Sequence, residues 1–120
     1  MSIQMANEYG KIYVGDEVIA VIAGSAALEC YGLVGMASRQ QLKDGIAELL
    51  GRENLGRGVE VRRLKDDAID IDLYIIVSYG TRISEVAHNV QNRVKYVLSE
   101  IVGLQVEHIH IFVQGVRVTR

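Results

Sequence analysis

The chain has 120 residues, of which 49% are hydrophobic and 23% charged, with a formal net charge of −2. That length suits one domain that buries a core without covalent staples, and that composition excludes a disordered chain. The charge supplies no broad basic field for a nucleic-acid backbone or an anionic membrane.

The first ten residues, MSIQMANEYG, lack a basic start and an apolar core, so no secretory leader is expected there. Residues 1–9 read as a loose, flexible tail. In GKIYVG, residues 10–15, Ile12 and Val14 alternate with Lys11 and Tyr13, which predicts a short strand. Asp16 is placed to cap a helix running to about Tyr31 and stopping at Gly32, with Glu17 favourable in its first turn. That helix is apolar on nearly every side, which predicts burial on most of them. Its uncharged stretch, Val18 to Leu28, falls short of the roughly 20 residues a bilayer span needs. Cys30 is the only cysteine, which rules out a disulfide within the chain and fits a reducing compartment, and its apolar neighbours predict a buried, unreactive thiol.

Leu33 to Ala37 reads as a buried strand. Ser38 and Gln41 form a capping-box pair, so a second helix is expected from there, with Leu42, Ile46, Leu49 and Leu50 as its apolar stripe and Gly51 as its end. The loop GRENLGRG leads to a strand over about 59–64, a turn at Lys65-Asp66-Asp67, and a strand over about 68–78. The last of these puts Ile69, Ile71, Leu73, Ile75 and Val77 on one face and Asp70, Asp72, Tyr74 and Ile76 on the other, as in a hairpin with one buried side. Thr81 is placed to cap the longest helix, about 82–102, and Gly103 to close it. A strand over about 104–113 then buries Ile109, Ile111 and Val113 and turns His108, His110 and Phe112 outward. No proline occurs, so the turns fall to Gly, Asn and Asp.

Taken in order, these segments resemble the alkaline shock protein family. GKIYVGDEVIAVIAGSAALECYGLVGMAS is similar to the family's opening, with Gly10, Ile12, Val18, Ile19, Gly32, Val34 and Gly35 at the pattern's positions. The second half resembles the family's hairpin, its Tyr-Gly step at Tyr79-Gly80, its Val-Gln helix at Val90-Gln91 and its closing Val/Ile strand. The resemblance covers about residues 10–118. It implies a cytoplasmic bacterial protein of a Gram-positive lineage, linked to alkaline and cell-envelope stress, with a separate anchor protein as the route to a membrane. It implies no active site. Where the family's last strand has a polar residue such as Asn, this chain has His108 and His110.

Two pairs of residues invite a chemical reading. His108 and His110 share a strand face, as do Asp70 and Asp72, and on neighbouring strands the four could gather as zinc ligands. Cross-strand pairs on a solvated or dimer-facing surface explain them more simply. GRENLGRG carries three glycines and two arginines, yet it does not join a strand to a helix as phosphate loops do, so a plain turn is preferred. No serine lies in a G-x-S-x-G elbow, and His88 sits on the polar face of its helix.

The expected fold is α+β: a two-layer sandwich with helices packed on one face of a mostly antiparallel or mixed sheet, formed by residues 10–118. The expected function is a non-enzymatic protein–protein interaction or scaffold module with no cofactor and no metal. Its partner would be another copy of the chain or an envelope-associated protein. Asp70, Asp72, Tyr74, Ile76, His108, His110 and Phe112 are the expected interaction surface. Ile76→Asp and Phe112→Asp would then weaken association and leave the monomer folded. A small RNA-binding module is the alternative, disfavoured by the two aspartates on that face.

Overall fold

The computed structural model describes residues 2–38 and 49–118. It begins with a hairpin. Strand β1 (Ser2–Asn7) pairs antiparallel with β2 (Gly10–Gly15), Asn7 opposite Gly10. The Asn7 side chain accepts the Tyr9 N–H at 2.8 Å, an Asx turn that closes the two-residue loop. Residues expected as a loose tail are thus mostly a strand, and Ile3 anchors it in the core at 2% exposure.

Helix α1 (Asp16–Leu28) follows directly. Its N-cap is Gly15 and no side chain caps it; the Asp16 carboxylate reaches Arg63 instead, 3.4 Å away. Ile19, Ala23 and Ala27 are fully buried, whereas Val18 and Val21 are half exposed, so the helix is less enclosed than its composition suggests. Strand β3 (Leu33–Met36) comes next. The helix expected from Ser38 lies almost wholly outside the described residues. Its last two stripe residues are described and are not helical: Leu49 bridges Ala37, and the Leu50 N–H donates to the Met36 carbonyl at 2.8 Å.

GRENLGRG is a built element and not a plain turn. Arg52–Gly58 winds as 3-10 helix against α1, with Leu55 buried beside Gly24. Then come β4 (Val59–Arg63), a tight turn with Asp66 and Asp67 at positive φ, and β5 (Ala68–Ser78). Helix α2 (Ile83–Tyr96) widens into a π-helical stretch at Val97–Val102 and stops at Gly103, whose φ is 92°. Arg82 occupies its N-cap, while the Thr81 hydroxyl donates to the Ser78 carbonyl and not to the helix. Strand β6 (Gln105–Arg117) ends the fold.

β5 is the centre of a four-stranded sheet. One flank is shared end to end: β4 pairs antiparallel with Ile69–Leu73 and β3 with Ile75–Val77. The other flank belongs to β6, which runs parallel from Ala68 to Ser78. A parallel neighbour needs a long crossover, and α2 supplies it. The expected α+β fold with a mixed sheet is what forms. The core lies between the helices and the Ile69, Ile71, Leu73, Ile75, Val77 side of β5, where α1 contributes Ile19 and Ala23, and α2 contributes Val86, Val90 and Val94.

Candidate interaction face of the sheet

The side of the sheet turned away from α1 and α2 is ordered by strand register into rows. Arg62, Asp70 and His108 form one row, and Glu60, Asp72 and His110 the next. Tyr74 lies beside Phe112, and beyond them Gly35, Ile76 and Gly115 align. Parallel pairing with a bulge at Glu107 sets each histidine beside an aspartate, as the sequence pattern allowed.

The contacts show which of these groups face solvent. Asp70 and Asp72 are 8% and 6% exposed and Ile76 is 1% exposed, so the expectation that all three lie open is corrected. Each carboxylate is held. Arg62 donates to Asp72 Oδ1 at 2.6 Å. Asp70 Oδ1 accepts the His108 backbone N–H at 3.0 Å, with His108 Nδ1 at 3.1 Å. Buried acceptors need such partners, since an unpaired one loses its hydration without compensation. Ile76 packs in the glycine row, where Leu49 reaches so close to Gly35 that a Cβ there would sit 2.6 Å from its Cδ1.

What remains outward is aromatic and imidazole surface. The Tyr74 and Phe112 rings stack with centroids 4.8 Å apart at 12°, and Phe112 is 43% exposed. The His108 and His110 rings also stack, at 5.8 Å. Asp70, Asp72, His108 and His110 do not converge on one point: Asp72 turns to Arg62 and not to His110, and among the described residues no three His, Cys, Asp or Glu side chains gather as a metal site.

Two residues matter here that periodicity alone undervalued. Arg62 neutralises Asp72; its place opposite an Asp-rich strand was the available signal. Gln91 on α2 donates its side-chain amide to the Ile109 carbonyl at 2.8 Å, tying the helix to the outer strand.

Cys30 lies apart from this face, between the helices, its thiol 3.8 Å from the Asn89 carbonyl. Burial pushes the Cys30 thiol above its ordinary value, further than the Arg93 guanidinium lowers it, and Glu29 adds a smaller push upward. The folded chain therefore keeps this proton at a pH where the unfolded chain releases it, so rising pH through the ordinary thiol range favours unfolding. Denaturant midpoints measured at about pH 8 and about pH 10, either side of that range, are expected to fall further in the natural chain than in Cys30→Ala. Equal falls would show that the thiol contributes nothing to the pH dependence.

A family profile of alkaline shock protein type, described by a cell envelope-related function, matches residues 4–118. The chain belongs to this alkaline shock protein family. Among curated relatives, "Uncharacterized protein YloU" of Bacillus subtilis (strain 168) is 58% identical over 99% of this chain and 98% of its own length. "Uncharacterized protein Spy1614" of Streptococcus pyogenes serotype M6 is 40% identical over 98% of this chain and 97% of its own. "Uncharacterized protein YqhY" of Bacillus subtilis is 39% identical over 90% and 78%. Among solved structures, a variant of MamM-CTD aligns with a TM-score of 0.47 and 14% identity, over 87% of this chain and 94% of that one, a likeness too distant to carry an argument. Among the described residues of this alkaline shock family chain, no helix is long and apolar enough to cross a membrane.

Proposed function

We propose that this chain is a non-enzymatic interaction module of the cell envelope, acting from the cytoplasm and reaching the membrane through a partner protein. Its docking face is the sheet surface around Phe112, with Tyr74, His108 and His110 beside it. The observation behind this reading is the stacked Tyr74–Phe112 pair on a side of the sheet that neither α1 nor α2 covers. Exposed aromatic surface framed by polar groups is the usual make-up of an interface centre. Single-stranded RNA suits such a platform less well, because Glu60, Asp70 and Asp72 stand on it and the Arg62 guanidinium beside them is committed to Asp72.

The occupant argued for is a second copy or an envelope-associated protein. Light scattering after gel filtration, over a wide range of concentration, is expected to show a mass above the 13.3 kDa of one chain. Phe112→Asp is expected to weaken that assembly by about 30-fold or more, the loss of a hot spot worth about 2 kcal/mol, with an unchanged melting temperature. Unaltered assembly of the variant would place the interface elsewhere. A strictly monomeric natural chain would remove the second copy as occupant and leave the envelope protein.

A further inference from the structure

A second surface, on the opposite layer, has the make-up of a peptide groove. Between the first turns of α1 and β4 lies an open cleft of about 550 Å³. Ala20 and Val21 line its helix side, and Val59 and Val61 its strand side. Val21 is 46% exposed, an apolar side chain with room for a partner. Among the described residues β4 pairs only with β5, and none of them forms a ladder on its other edge.

Alternation identifies the free groups on that edge. The Leu64 N–H donates to the Ala68 carbonyl, toward β5, so Arg63 and Val61 turn their N–H and C=O groups outward. Val59 faces outward too, but its N–H already donates to the Gly56 carbonyl. The 3-10 segment thus closes one end of the cleft and leaves Val61 and Arg63 as the open pairing positions. The charge of the lining is unequal: Asp16 is paired with Arg63, which leaves Glu17 and Glu60 against Arg57.

We propose that this cleft takes an extended segment of a partner protein as an added strand on β4, alternating apolar and basic side chains. Backbone pairing to Val61 and Arg63 holds the segment. Its apolar side chains fill the space between Val21 and Val59 beside Glu17, and its basic ones, alternating to the other face, meet Glu60. The idea shares with the reading above only the premise that the chain binds proteins; a different surface carries it, and either can fail alone.

The test uses the full chain, isotope-labelled for NMR, with the synthetic peptide Val-Lys-Val-Lys-Val-Lys. The expected result is a shift and exchange protection of the Val61 and Arg63 amides, with shifts at Glu17 and Val21. Methylating the peptide nitrogens on the edge that faces β4 is expected to abolish binding, and methylating the other edge to preserve it. The folded double variant Glu17→Lys, Glu60→Lys is expected to bind at least about tenfold more weakly. Phe112→Asp is expected to bind the peptide as the natural chain does. Several results would overturn the proposal: equal binding of Val-Glu-Val-Glu-Val-Glu, indifference to N-methylation, shifts confined to the Phe112 face, or no shift at millimolar peptide. Concentration-dependent protection of Val61 and Arg63 without peptide would mean that a second copy fills the cleft, and would overturn the assignment to another protein.

Discussion

Ile76→Asp is expected to yield no folded protein. Ile76 is 1% exposed on the central strand, between Gly35, against which Leu49 packs, and Gly115. Removing a buried aliphatic side chain of this size costs about 2–5 kcal/mol by itself. The carboxyl that replaces it must either ionise in an apolar site or stay protonated without a partner, adding several kcal/mol more. The sum is comparable to the whole stability of a small domain, about 5–15 kcal/mol. The measurement is a melting curve by circular dichroism with an amide NMR spectrum. Ile76→Val is the control, with an expected loss of about 0.5–1.5 kcal/mol and a native spectrum. A folded Ile76→Asp variant would show that the glycine row opens readily to solvent, and would return Ile76 to the interaction surface. Phe112→Asp differs because the residue is already 43% exposed, so the charge is hydrated and the expected loss is one of binding.

The contrast between these two positions marks how far the sequence could be read. Alternation placed β5 at Ala68–Ser78 and assigned its two faces correctly, and the pairing of Asp70 with His108 and of Asp72 with His110 followed once β6 proved to be its neighbour. Period two says which side a residue takes, however, and not what covers that side. The apolar run Ile75-Ile76-Val77 was the available hint, since a strand buried on both faces reads as continuous and not alternating. Strand β1 was legible too: Ile3 and Met5 alternate with Gln4 and Ala6 ahead of Asn7, but the pattern is short and sits where a tail is the easier assumption. Asp16 and Thr81 had the right chemistry for helix caps, but the cap positions fall at Gly15 and Arg82, and the two side chains bond Arg63 and the Ser78 carbonyl. The cleft between α1 and β4 had no sequence signal at all. It arises because the 3-10 segment folds against the helix and stops short, and local pattern does not report a tertiary gap.

The second large effect expected is at Gly32, where two separate costs meet. Its φ is +90°, and a Cβ there would lie 2.7 Å from Val86 Cγ2 and 3.3 Å from Thr81 Cγ2. Gly32 also accepts the Ser78 N–H at 2.9 Å, so the turn cannot swing away without losing that bond. The left-handed backbone costs an alanine about 1–2 kcal/mol, and forcing a methyl into packed surroundings costs about 1–3 kcal/mol. Gly32→Ala is therefore expected to lose about 2–5 kcal/mol, which lowers the melting temperature on the order of 10 °C. Gly80→Ala separates the two causes. Gly80 has the same φ of +90° and nothing within 4 Å of an added Cβ, so only the backbone cost is expected there. Val86→Ala removes the methyl in the way, so its combination with Gly32→Ala should be less destabilising than the two single losses added, by about 1 kcal/mol or more. Equal losses at Gly32 and Gly80 would leave backbone strain as the whole cause. Additive behaviour with Val86→Ala would show that the close approach to α2 is relieved by a small shift of the helix.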